Sequence, residues 1–372
     1  MIKQRKDAFA AAGRDGIMRK DTVSPLQLFL ILVFLTVSGG FLDREVGTAS
    51  LAVGFLLSSL CFFLGRTAGE GTVGKIAALS AFGFLIFRIG EAAELFSSFW
   101  VRSVTPTGSA LLFALPLLLA GTMLAGTGYR GIGRLAELLF PLLFLTLFFS
   151  LAPFFGKPAF AGSGTGISLP SSFHTLTDLP AVFLLAGRTV SKRSEKASAY
   201  ARADAENAEA VYGGRLFSVR DPVLAAGVLG LAAGNLLVFF MGTGCLRAVG
   251  TALYGRLTAP GLYAVRVSLG ESAEPTYLLC LFAAVLFRIA LLVRAAGELL
   301  SDCTPSAERF SLSLSALLGG GMLLLLSRYG VRVDRFFAGM ILLTESLLSF
   351  LLFFSKKAKK RFDKKGEKRY NE

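Results

Sequence analysis

Three charged residues stand inside an apolar run, "SAFGFLIFRIGEAAELFSSFW" at 80–100: Arg88, Glu91 and Glu94. A charged side chain at a bilayer centre costs about 2.5–3.5 kcal/mol on insertion scales, and such residues are functional by default. Arg88 and Glu91 are three apart on one helical face and can neutralise each other. Glu94 lies a further turn along. Later in the chain "AVLFRIALLVRAAGELLS" repeats the pattern. Phe287, Arg288 and Ile289 echo Phe87, Arg88 and Ile89, and "GELLS" echoes "AELFS". There Arg294 and Glu298 form an i, i+4 pair, whereas Arg288 has no acid in reach on its own helix. Two roles are open for these charges: contact with a ligand or a gate, or buried ion pairing that locks their helices to their neighbours.

The elements that must position them are membrane spans. The chain has 372 residues, 53% of them hydrophobic, and only 17% are charged; its mean hydropathy is +0.63. The charges crowd the first twenty residues, the stretch 188–220 and the tail from Lys356, leaving apolar runs long enough to cross a hydrocarbon core of ~30 Å. Apolar runs between charges and Gly/Pro punctuation give ten spans, at 25–42, 46–65, 73–100, 108–126, 132–155, 174–190, 222–245, 275–300, 309–327 and 335–355. The sixth is the weakest, being short and carrying Asp178 and Pro180. With both termini cytoplasmic, the inner segments hold most of the 39 Lys and Arg, as the positive-inside rule requires. Deleting the sixth span would put the basic tail outside. The net charge of +14 is therefore topological, and no nucleic-acid partner is expected; the bilayer is.

The two charged echoes fall in spans three and eight, an odd offset, so they run in opposite directions. That is the plan of a five-plus-five inverted repeat, common among secondary transporters, whose sites lie near the midplane where helices are interrupted. Span one contains "VSGGFL", and Ser38, Gly39 and Gly40 could unwind there and expose backbone N–H groups. They lie roughly 20 Å in from Pro25 at 1.5 Å per residue. Alternatively, the glycines only allow close helix packing. In span six Pro180 removes a donor and breaks the helix beside Asp178. The expected fold is all-α: ten transmembrane helices in a LeuT-like 5+5 inverted repeat, with helices one and six broken. Its parts are a cytoplasmic segment at 1–24, a first repeat at 25–155 and an extracytoplasmic loop at 156–173. A second repeat follows at 174–355, with a charged cytoplasmic insertion at 191–220, and then a basic tail at 356–372.

Other chemistry is sparse. His174 is the only histidine, and Cys61, Cys245, Cys280 and Cys303 lack metal-type spacing, so they read as small packing residues. No nucleophile, base and ligand cluster marks an enzyme, and no cofactor or metal is expected. The glycine cluster "AGSGTG" at 161–166 lacks the Lys-Ser/Thr of a phosphate loop. The first apolar stretch is followed by no small-residue cleavage site and reads as an uncleaved span. Arg134 and Glu137 read as an interfacial pair at the start of span five, and that span holds no Lys that could serve as a proton-coupling cation.

Several motifs resemble one family. Arg88, Glu91 and "TP" at 105–106, then "GYRGIGRLAELLFP" at 128–141, look like the GerAB-type spore germination proteins of the amino acid/polyamine/organocation permease superfamily. "DTVSPLQLFLIL" at 21–32 and "LTAPGLYAVRVSLGE" at 257–271 are similar to the same family. The resemblance covers about 21–355 and is most specific at 84–145. It implies a permease-like subunit of a germinant receptor in the spore inner membrane, beside a larger membrane subunit and a lipoprotein. Such a subunit recognises a small nutrient, commonly an amino acid, between spans one, three, six and eight, and its signal leads to ion release and germination. The ligand residues so indicated are Ser38, Gly39, Gly40, Arg88, Glu91, Asp178, Pro180 and Arg288. The sequence departs from the family in a shorter "DREVGT" connection and a longer 188–220 loop. The alternative is an active amino-acid permease of the same fold; a third is a scaffold with a vestigial pocket.

Overall fold

The computed structural model describes residues 23–42, 48–68, 73–105, 108–155, 178–187, 222–250, 257, 260–304, 310–329 and 340–356. Expectations about His174, the 161–166 loop, the 191–220 insertion and the basic tail beyond 356 lie outside these residues. Apolar composition makes nearly everything described helical: α1 (Pro25–Leu42), α2 (Thr48–Ala68), α3 (Lys75–Ser103), α4 (Ala110–Gly126), α5 (Gly128–Leu138), α6 (Phe140–Phe155), α7 (Leu179–Gly187), α8 (Pro222–Val249), α9 (Pro260–Leu269), α10 (Glu274–Cys303) and α11 (Ser311–Tyr329). Residues 340–356 are helical as well and are called α12. Among the described residues, five helices are long and apolar enough to cross a membrane unaided, with a sixth if the bent pair α4–α5 is one span. The chain is an all-helical integral membrane protein.

Each expected span has its helix, with two refinements. Span five begins at Phe140, not at 132, because α5 is turned 115° from α4 and is amphipathic. Tyr129, Ile132, Gly133 and Ala136 face the protein, and Arg130, Arg134 and Glu137 face outward. That apolar spacing of three and four makes one stripe of a helix, suited to the bilayer surface rather than its interior. Between spans seven and eight the chain also forms α9, which the span reading had merged into a connection.

The helices α3 and α10 are the central posts, the most enclosed of the long spans. They run in opposite directions. The start of α3 meets the end of α10, where the Val73 N–H donates to Asp302 Oδ2 at 3.2 Å and the Cys303 thiol lies 3.6 Å from the Lys75 carbonyl. The end of α12 joins them, since Ser355 Oγ accepts from the Gly74 N–H. Here too α5 is tied down, by the Tyr129 hydroxyl donating to Glu298 Oε2 at 3.1 Å, with the Arg294 guanidinium 5.6 Å above the Tyr129 ring. At the opposite end Phe96, Trp100, Phe113 and Phe282 knit α3, α4 and α10 together, with ring centroids 5.6–6.1 Å apart.

Packing reveals the repeat more fully than the sequence does. Ile89 of α3, in the first repeat, fills the space left by Gly319 of α11, in the second; Ile289 of α10, in the second, fills that left by Gly121 of α4, in the first. Exchanging spans three with eight and four with nine maps one contact onto the other. Likewise Gly65 of α2 sits on the Phe183 carbonyl of α7, and Gly230 of α8 sits on the Phe29 carbonyl of α1. Exchanging two with seven and one with six interconverts these. The repeat thus lives in where small residues admit a neighbour, a property that tolerates sequence drift on every other face.

Candidate functional site

Arg88 and Arg288 occupy nearly the middle of their 29- and 30-residue helices, about 20 Å from each helix start at 1.5 Å per residue. The two posts cross there. Into the crossing comes Asp178, the residue immediately before α7. Its carbonyl accepts from the Ala181 and Val182 N–H groups and so starts that helix, while its carboxylate bridges the two arginines. Arg88 Nε donates to Oδ1 at 2.6 Å; Arg288 Nε donates to Oδ2 at 2.9 Å and its Nη2 to Oδ1 at 3.2 Å. Arg88 Nη1 donates to Glu91 at 2.6 Å, and Glu345 of α12 lies 3.4 Å from Arg88 Nε. Every member is buried; Asp178 and Glu345 are wholly inaccessible.

Charge-assisted hydrogen bonds of this kind are about twice as strong as neutral ones, and here they are required. An unpaired charge at this depth would cost several kcal/mol. The cluster joins α3, α7, α10 and α12, so one polar knot ties both repeats together at the mid-height of the bundle. The pairing of Arg88 with Glu91, expected from their spacing, is present. Arg288, which has no acid in reach on its own helix, finds one in Asp178 at the start of α7. Arg294 and Glu298 approach to 3.9 Å near the end of α10, a loose contact apart from the cluster. Glu94 is half-buried and is not among the cluster's described contacts.

One expectation needs correction. Ser38, Gly39 and Gly40 do not interrupt α1, which runs continuously from Pro25 to Leu42. The Ser38 hydroxyl donates to the Leu35 carbonyl at 2.6 Å, within a helix buried on all sides around it. Glycine permits unwinding but does not force it; in a bundle this close the helix keeps its hydrogen bonds, since nothing else would satisfy them. Helix α1 packs instead on α8 and α10, with Phe34 stacked on Phe287 at 4.7 Å. Pro180, expected to break a helix, stands in the first turn of α7, where its missing N–H costs nothing. Asp178, just before that helix, is not helical, the residues ahead of Asp178 lie outside those described, and α7 is buried from Leu179 to Ala186.

Glu345 was missed. The signal was available, because "LLTESLLSFLLFF" is an apolar run with one acid in it, the same criterion that singles out Arg88.

Comparison with known proteins was informative only at the level of structure. Neither protein-family models nor curated proteins match this chain. Among solved structures, a nucleobase-cation-symport-1 family transporter, in a closed conformation with bromovinylhydantoin bound, is similar over 90% of this chain and 78% of its own, with a TM-score of 0.58 and 15% identity. The fold is LeuT-like. At that identity the likeness is one of architecture, and it agrees with the LeuT-like helical fold expected from the sequence.

Proposed function

We propose that this protein is a permease that binds a small polar solute beside Asp178 and exposes it alternately to the two sides of the membrane. The observation that carries this reading is the deep start of α7, clasped by arginines at matching positions of two oppositely directed helices. A structural ion pair would stabilise the bundle equally well at a helix end. Placing it at mid-height, where charge is most costly, is explained by a polar solute that must pause there. The candidate ligand residues are Arg88, Glu91, Asp178 and Arg288, with Pro180 in the first turn of α7 and Ser38, Gly39 and Gly40 of α1 kept as the further candidates that the motif resemblance implies. An amino acid is the solute class that the motif resemblance implies. The basic residues crowding both ends of the chain support a cytoplasmic position for both termini.

A second reading keeps the same site but couples it to a signal: a germinant-receptor subunit of the spore inner membrane, acting beside a larger membrane subunit and a lipoprotein. The motifs at 84–145 favour it, as does the lack of a lysine in α6 to serve as a coupling cation.

Uptake of labelled amino acids into proteoliposomes, set beside germination of spores lacking the gene, separates the two. Saturable uptake with normal germination is the result expected of the permease. Nutrient-specific loss of germination without uptake would replace it with the sensor.

A further inference from the structure

Two guanidiniums converge on one carboxylate that belongs to the protein itself. Arg88 and Arg288 stand on long helices whose mid-sections are held by close packing, Ile89 against Gly319 and Ile289 against Gly121. Asp178 stands instead at the tip of a nine-residue helix. Of the three, it is the group that can withdraw with the least disturbance. Its withdrawal would leave two preorganised cations aimed at one point, a geometry that fits a carboxylate better than any neutral group.

From this we propose that Asp178 is an internal stand-in for the solute: its carboxylate holds the Arg88–Arg288 pair closed, and a carboxylate-bearing solute binds by displacing it. The proposal rests on the solute-binding reading above and assigns the solute its anchoring group. Exchange of one carboxylate for another keeps the arginines paired throughout, so the buried cations are never exposed to hydrocarbon alone. It also sets a sign opposite to that of an ordinary contact residue. Removing a ligand contact weakens binding; removing an internal competitor strengthens it.

The Asp178→Asn variant is the direct test. Among the described residues, Glu91 and Glu345 still face Arg88 after this change, and the asparagine side-chain oxygen can still accept from Arg288, so neither buried cation is left facing hydrocarbon alone. Binding of the common L-amino acids, and of the amide of each one that binds, is measured on the full chain in lipid nanodiscs. The expected result is at least tenfold tighter binding of the acid by Asp178→Asn than by the parent, with at least a tenfold preference for acid over amide in both. Equal or weaker binding by a folded Asp178→Asn overturns the proposal. Should that variant not be recovered folded, the parent alone decides: an amide that binds as well as its acid overturns it, and a tenfold acid preference upholds it. Binding that tolerates the amide sinks this proposal and leaves the solute site standing. No binding of any panel member to either protein sinks both.

Discussion

Replacing Arg88 with leucine is expected to destabilise the protein by about 3–5 kcal/mol, the cost of leaving buried charge without its partner. Arg88 reaches three carboxylates, those of Asp178, Glu91 and Glu345, and none of the three can turn to water. Arg288→Leu should cost less, because Asp178 then keeps Arg88. Thermal unfolding in detergent micelles, compared between the two variants, reads the difference directly. The expected order is parent, then Arg288→Leu, then Arg88→Leu, with the last recovered in poor yield. Equal stability of all three would mean that the cluster carries little of the bundle's cohesion. A double variant, Arg88→Leu with Glu91→Leu, removes one of the stranded acids and should recover part of the loss. That recovery is the signature of stranded charge rather than of lost side-chain packing.

The second large effect concerns glycine contacts rather than charge. A Cβ at Gly65 would run into the backbone carbonyl of Phe183, and one at Gly230 would lie 2.8 Å from that of Phe29. Side chains can rotate away from an intruding methyl; a helix backbone cannot. Gly65→Val should therefore push α2 from α7 and cost about 1–3 kcal/mol or more. It should also move Asp178, at the start of α7, off its arginines, so the buried cluster is loosened along with the helix pair. Gly230→Val should show a similar loss of stability, with less effect on the cluster, because it separates α8 from α1. Gly54→Ala is the control on the same helix as Gly65, since a Cβ there meets nothing within 4 Å. Thermal unfolding and solute binding of the three variants give the comparison. A Gly65→Val protein as stable as Gly54→Ala would show that the two helices can part without cost.

How much of this was legible beforehand depends on the kind of interaction. The spans were legible because hydrocarbon imposes long apolar runs on each helix by itself. Arg88, Glu91 and Arg288 were legible because a charge in such a run stands out without any partner. Asp178 was visible only as an oddity in a weak span, and the break assigned to Ser38–Gly40 was misplaced. A glycine pair has the same appearance whether a helix unwinds at it or a neighbour packs against it. The α4–α5 bend was hidden for a related reason: the amphipathic stripe from Tyr129 to Ala136 leads straight into the apolar run of α6.

The sequence by itself determined that this is a helical membrane protein with charges buried at mid-span and two oppositely directed copies of one motif. Each of those follows from local composition, read one helix at a time. Only the tertiary structure decided that Arg88, Arg288, Asp178 and Glu345 meet, and that matching glycine contacts carry the repeat through both halves. Those contacts join residues far apart in the chain, on helices whose lateral order composition does not encode. Ion pairing across the bundle is therefore a property of the packed fold, while the need for it is written into each helix alone.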